Sequence, residues 1–226
     1  MNVTEAVRTR RSIRHFLDKP VELEVLRTAM ETAQYSPSGG NLQPWHAVVL
    51  TGEPLDELKS VVAAKLPQGP DGQSPEYEIY PKGLQEPYRT RRFALGEAMY
   101  DSLEIPRENK MGRMMQMTRN FQAFDAPVCL FVHTPKNMGP PQWSDMGMWL
   151  QSLMLLLVEA GLDSCPQEAW SVYGKEIRET LKLPEDHIFF CGMAIGYRDP
   201  DAPVNRFPVP RAPIDEALQF RGFAEL

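Results

Sequence analysis

Apolar positions recur along the chain at two periods, one helical and one extended. Leu23, Leu26, Met30 and Ala33 fall at helical spacing, which predicts a helix over Val21–Gln34, preceded by Pro20 and stopped before Pro37. Leu55, Leu58 and Val62 give an amphipathic helix over Pro54–Leu66. Met146, Trp149, Leu150, Leu153, Met154 and Leu157 repeat in the same way within Gln142–Ala160, and their neighbours are apolar too. A helix that is apolar all round is buried. This one is expected at the centre of the fold, with Gly161 as its C-cap. Tyr88–Leu103 and Gly174–Leu183 are further helices. Three short apolar runs predict strands: HAVVLT at His46–Thr51, PVCLFVHT at Pro127–Thr134 and IFFCGMAIG at Ile188–Gly196. Helices with a few strands between them make an α+β domain.

Two stretches depart from this pattern. Residues 67–120 open with Pro67, Pro70, Pro75, Pro81 and Pro87 among glycines, and close on Met111, Met114, Met115 and Met117, just before Phe121 and Phe124. Long irregular excursions are usually functional or mobile, and methionine adapts to irregular apolar shapes. The segment is expected as a lid, with Tyr88, Phe93, Met111, Met115, Phe121 and Phe124 as candidate substrate surface. Plain core packing explains the same residues, and both readings stay open. The tail, 197–226, is rich in proline and arginine and is expected as an extended arm on a single domain spanning 1–226.

The 226 residues are 42% hydrophobic and 24% charged, which excludes wholesale disorder. A net charge of -6 argues against a nucleic-acid binder. Cys129, Cys165 and Cys191 lack the spacing of a disulfide framework or a zinc site and suit a reducing compartment. His15, His46, His133 and His187 are scattered, so no metal is expected. The N-terminus has no signal-peptide core, and the longest apolar run, Met146–Val158, is shorter than the roughly 20 residues of a membrane span. A soluble cytoplasmic protein is expected.

Against this acidic background, Arg8, Arg10, Arg11 and Arg14 crowd the N-terminus around Ser12. Guanidinium forks and a hydroxyl suit a phosphate. Ser36–Trp45 (SPSGGNLQPW) adds amide and hydroxyl groups for a polar heterocycle. A proline-bearing loop, Leu162–Ala169, and an Arg206–Pro213 stretch carrying Arg211 follow. Each alone reads equally well as a solvated charge run or an ordinary turn. There is no Gly-x-Gly-x-x-Gly after a strand, no Walker A sequence and no Gly-x-Ser-x-Gly elbow. Together the pieces suggest a phosphorylated, ring-bearing cofactor.

In this order the four pieces resemble the nitroreductase family of FMN-dependent oxidoreductases. The matching residues are Arg10-Arg11-Ser12-x-Arg14, Ser36-Pro37-Ser38-x-x-Asn41-x-Gln43-Pro44-Trp45, Gly161-Leu162 with Pro166-x-Glu168, Gly192–Gly196 and Arg211-Ala212-Pro213. The Gly139–Asp145 and Cys165–Trp170 segments look closest to its nitroaromatic-reducing branch. The resemblance implies a nitroreductase-like α+β fold, with an antiparallel-type sheet wrapped by helices. It also implies a homodimer with a domain-swapped arm and two FMN sites at the interface. Arg10, Arg11, Ser12 and Arg14 would come from one subunit, with Arg206 and Arg211 towards the phosphate. Pro37, Ser38, Gly39, Asn41 and Gln43 would come from the other. Pro166, Gln167, Glu168 and Ala169 would line the ring, with the Glu168 N–H at flavin N5. The implied activity is NAD(P)H-dependent reduction of nitroaromatics or quinones by a ping-pong mechanism, with the chemistry at the flavin rather than at a protein side chain. The alternatives are a reductive dehalogenase, a flavin-destroying enzyme, an enone reductase or a non-catalytic flavin sensor. Nothing in the sequence chooses NADH over NADPH.

Overall fold

Among the described residues four strands form one sheet: β1 (His46–Thr51), β2 (Val128–Pro135), β3 (Asp163–Gln167) and β4 (His187–Gly196), in the order β1-β2-β4-β3 with every pair antiparallel. The structure is a computed structural model and describes residues 1–223; the last three residues of the expected arm lie outside them. Three of the strands are the apolar runs. The fourth, β3 (DSCPQ), was expected as a loop. It lacks apolar alternation and contains Pro166, which an outer strand tolerates because the missing N–H faces away from the ladder.

Strand alternation divides the core in two. Val128, Leu130 and Val132 of β2 face one cluster, while Cys129 and Phe131 face the other. On β4 the register slips between Val132 and His133, which are opposed by Cys191 and Phe189. The bulge absorbs Phe190 and so turns Phe189 to the opposite face from Cys191.

Among the described residues seven helices surround this sheet: α1 (Val3–Thr9), α2 (Leu23–Ala33), α3 (Gly52–Ala63), α4 (Tyr88–Ser102), α5 (Lys110–Thr118), α6 (Pro140–Glu159) and α7 (Gly174–Thr180). Helices α2 and α6 cover one face; α3, α7 and 3₁₀ turns at Arg119–Asp125 and Glu168–Tyr173 cover the other. Helix α6 buries Met146, Trp149, Leu150, Leu153, Met154 and Leu157, but the expectation of burial on every side fails within one chain. Met148 is 41% exposed, and Ser152 and Leu155 behind it are only partly covered. At four- and three-residue spacing these make one open stripe along the helix.

The excursion at 67–120 divides into two parts. Its first part is strapped to the core. Ser74 N–H donates to Val172 O at 2.8 Å, Ser74 Oγ donates to Glu176, and Glu76 accepts Phe189 N–H at 3.2 Å while pairing with Arg178. Tyr77 Oη donates to Phe190 O, and its ring meets Trp143 edge-on at 5.1 Å. Its second part, α4 and α5, stands off the core. Helix α4 buries none of its residues and is held through Ala98 and Met99 against Ala202, Val204 and Phe207. Arg113 clamps α5 to α4 through Glu97 and lies 4.3 Å over the Tyr100 ring.

Three imidazoles gather where β1, β2 and β4 meet. His133 Nδ1 and His187 Nδ1 are 2.7 Å apart, and His46 stacks on His133 at 5.5 Å. Burial, then the neighbouring His187 and His46, push His133 from 6.5 down to about 4, and burial also lowers His187. A histidine with a lowered folded pKa binds fewer protons than its unfolded form. Its stabilisation is complete above 6.5 and drains away as pH falls towards 4. The urea midpoint of the protein should therefore drop more steeply across that window than that of His133→Gln. Parallel slopes for the two proteins would contradict the neutral-cluster account.

Candidate functional site

Helix α1 ends at Arg10, and the next residues run extended along the outer edge of β3. Ser12 bridges to Ser164, and Ile13 N–H donates to Ser164 O at 3.1 Å. Ile13 is fully buried and plugs this segment into the core, so Ser12 and Arg14 turn outward by alternation. They open on a cavity of about 590 Å³ lined by Arg8, Arg10, Arg11, Ser12, Arg14 and Arg211, together with Leu95, Val204, Asn205, Phe207 and Val209.

Among the described residues none of the five guanidiniums pairs with a carboxylate. Arg11 donates to Phe207 O at 3.3 Å, Arg14 to Ser12 O at 3.2 Å, and Arg211 to Val209 O at 2.9 Å. Arg10 is held below its ordinary pKa, first by burial and then by the charge of Arg211. Like charges are thus gathered around a space with no protein anion in it. That arrangement fits a phosphate or another small anion.

Arg206 was expected at the phosphate, but its guanidinium is satisfied locally, by Pro200 O at 2.6 Å and Asp201 at 2.8 Å, and it is not among the cavity's lining residues. Asn205, which does line the cavity, carried no signal in the sequence.

The Ser36–Trp45 loop folds as a 3₁₀ turn at Gly39–Asn41. Gly40, Asn41 and Gln43 all take positive φ (58°, 57° and 49°), a conformation easy for glycine and accessible to asparagine. Ser38 Oγ accepts Gln43 N–H at 2.9 Å, Gln43 Nε2 donates to Asn41 O at 3.1 Å, and Gly39 N–H donates to Asp145 of α6 at 3.2 Å. Pro37, Asn41 and Gln43 stand exposed. This loop feeds β1 at one edge of the sheet, whereas the arginine segment lies on β3 at the other. The two expected halves of the site therefore sit apart within a single chain.

At the end of β3, Gln167 is buried and its amide is tied to the protein: Nε2 donates to Asn120 O at 2.8 Å, and Oε1 accepts Trp170 Nε1–H at 3.1 Å. Trp170 in turn lies flush on β4, where a Cβ at Gly192 would stand 2.4 Å from Trp170 Cδ1. Pro166 and Ala169 are half-buried, and Glu168 stands at the surface. Glu168 opens a 3₁₀ turn, whose first N–H groups have no acceptor within the turn itself.

The candidate lid residues separate by burial. Tyr88, Phe93, Met111 and Met115 are 59%, 52%, 62% and 63% exposed, free apolar surface on α4 and α5. Phe121 and Phe124 lie in the core instead, 4% and 2% exposed, with Phe121 edge-on to Trp170 and Tyr173. Their aromatic bulk serves packing behind β2 rather than the rim of a pocket. Among the described residues no cluster of three or more His, Cys, Asp or Glu is arranged to hold a metal, and no helix is long and apolar enough to cross a membrane.

The model of the Nitroreductase family matches residues 7–197. A nitrobenzene nitroreductase of Ectopseudomonas oleovorans is 34% identical over 218 residues, covering 96% of each chain. A chloronitrobenzene nitroreductase of Comamonas testosteroni matches to the same extent, again at 34% and 96% of each chain. Among solved structures, the FMN and NADPH-dependent nitroreductase NfnB of Sphigopyxis sp. strain HMH is 53% identical with a TM-score of 0.97, over 99% of this chain and 100% of that one. The FMN-dependent nitroreductase NfnB of Mycobacterium smegmatis, solved in complex with NADPH, is 28% identical with a TM-score of 0.91, over 96% of each chain.

Proposed function

The chain belongs to the nitroreductase family, and from that membership we propose that it is an FMN-dependent enzyme that oxidises NAD(P)H and reduces nitroaromatic compounds. The observation that carries the reading is the cavity of five guanidiniums beside Ser12, with no carboxylate partner among the described residues. In this reading Arg10, Ser12, Arg14 and Arg211 hold the FMN phosphate. Arg14 also offers positive charge towards the ring, where negative charge develops. When bound, FMN supplies the redox chemistry, taking two electrons from NAD(P)H and passing them to the nitro group. The chain's own work is to bind, orient and cover, and a protein nucleophile has no task here. Buried free thiols at Cys129, Cys165 and Cys191 support a reducing, cytoplasmic setting.

We place the site between two copies of the chain, because the Ser38–Asn41 loop and the arginine segment occupy opposite sheet edges. The described part of the arm supports this arrangement, with Ile214, Leu218, Phe220 and Phe223 exposed at 56%, 53%, 65% and 76%. Apolar side chains so open call for a partner surface, and the Met148 stripe of α6 offers another. Sedimentation at micromolar concentration should show a dimer, and Leu218→Glu/Phe220→Glu should dissociate it with loss of FMN. A wild-type monomer that keeps FMN would defeat the two-chain site.

The functional test is anaerobic. NADPH or NADH should bleach the bound flavin, and nitrobenzene should restore its colour; no bleaching by either nucleotide, or no reoxidation, removes the proposed activity. Because one slot serves both half-reactions, double-reciprocal plots should be parallel. If α4 and α5 cover that slot, Tyr88, Phe93, Met111 and Met115 make it apolar. KM should then fall as alkyl groups are added to the nitroarene, at most about fourfold per methylene, or roughly 0.8 kcal/mol. A KM that rises with each methylene would mean the slot is closed to such rings.

A further inference from the structure

We propose that Asn205 is a positioning residue for the anion cavity, holding the backbone of Arg14 against the root of the segment that carries Arg211. The proposal rests on the reading of that cavity as the phosphate site of FMN. Asn205 is 8% exposed, and its amide has a partner at both ends. Oδ1 accepts the Arg14 N–H at 2.8 Å, while Nδ2 donates to His15 O at 2.8 Å and to Asp199 O at 2.9 Å. One donor at the oxygen end and two carbonyls at the nitrogen end dictate the amide's orientation, because a flip would oppose like groups at all three contacts. Aspartate has the shape but lacks the donors, and alanine lacks both.

The place of this amide in the chain gives it leverage over the cavity. Beyond β4 the chain runs back along the N-terminal segment, with Leu17 N–H on Tyr197 O at 2.9 Å and Asp199 N–H on His15 O at 3.1 Å. The 3₁₀ turn Pro203–Asn205 follows, and the Asn205 side chain closes it onto Arg14 and His15. Two residues later Phe207 O accepts the Arg11 guanidinium at 3.3 Å, the Phe207 ring lies 5.7 Å from the Arg14 guanidinium, and the chain goes on to Arg211 on the cavity wall. The Asn205 amide is thus the side-chain tie nearest to Arg14 in the set of contacts that fixes its spacing from Arg211. Fork contacts to phosphate tolerate little displacement, since charge-assisted hydrogen bonds weaken steeply with distance and angle.

The test is the ratio of riboflavin to FMN dissociation constants, measured by fluorescence quenching on the apoprotein. The proteins are wild type, Asn205→Ala, Asn205→Asp, Arg14→Ala and Arg211→Ala. The two arginine variants should each reduce the ratio at least about tenfold through the lost phosphate contact. Asn205→Ala should reduce it by a similar factor although every guanidinium is still present, with riboflavin affinity changed less than about threefold. Asn205→Asp keeps the acceptor for the Arg14 N–H and adds a negative charge beside the cavity, so it too should lower the ratio, and a wild-type ratio in it overturns the positioning role even if the alanine variant fails to fold. A wild-type ratio in a folded Asn205 variant, beside a reduced ratio in Arg14→Ala, would overturn the positioning role and leave the phosphate site standing. Unchanged ratios in both arginine variants would overturn the phosphate site, and the proposal with it.

Discussion

Arg10→Ala is expected to weaken FMN binding by about ten- to a hundredfold while leaving riboflavin within a factor of two, the range of a lost hydrogen bond to a charged group. Arg10 is the most selective probe of the site because it contributes little else. Among the described residues its guanidinium makes no hydrogen bond to the protein, whereas those of Arg11, Arg14 and Arg211 each do. What it faces is burial and the charge of Arg211, both of which lower its pKa. Removing it relieves that repulsion, so the apoprotein should melt no earlier than wild type. Titration of the apoprotein with the two flavins measures the contrast directly. Equal losses for FMN and riboflavin would show that Arg10 does not touch the phosphate.

The largest expected effect on stability lies at Gly192. A β-carbon there would stand 2.4 Å from Trp170 Cδ1 and 2.9 Å from Nε1, inside a fully buried ring that cannot swing away. Phe131 and Phe121 hold that ring edge-on at 5.3 and 5.6 Å, and Gln167 holds its N–H. Gly192→Val should therefore destabilise the protein by about 3 kcal/mol or more through overpacking. By strand propensity alone, valine would be an improvement over glycine. The sign of the change in urea unfolding separates the two effects: a neutral or stabilising result would mean that Trp170 does not lie flat on β4. Because Gln167 is tied to Trp170, the variant should also disturb the Pro166–Ala169 turn and with it flavin affinity.

Helices α2, α3 and α6 and three of the strands were legible because long-range packing reinforced a local period, whereas α1 and α5 were not predicted. Leu55, Leu58 and Val62 repeat helically and are all buried. Strand β3 was not legible, since its residues are held by two neighbours, β4 and the Ser12 segment, rather than by their own pattern. For Phe121 and Phe124 composition left pocket rim and core packing both open, and the fold buries both rings in the core. The arginines near Ser12 were readable because unpaired charge of one sign in an acidic chain is conspicuous. Asn205 was not, because an asparagine in a proline-rich tail looks like any turn residue until its three partners are brought to it. The loop and the arginine segment were readable as motifs, their assignment to different subunits rested on the resemblance, and strand order puts them on opposite edges of the sheet.

The five guanidiniums around one cavity also bear on how long each molecule survives. Folding gathers those charges from a chain in which they are dispersed, so the flavin-free fold carries a self-repulsion that the unfolded chain escapes. An anionic flavin that settles among them binds the folded form alone, and at a hundredfold excess over its dissociation constant it deepens that form by about 2.7 kcal/mol. Chains made faster than flavin is supplied remain the ones most often open to proteases, whereas loaded chains are withdrawn from that fate. The abundance of the enzyme in a cell would then follow its vitamin supply without any dedicated sensor, through turnover alone.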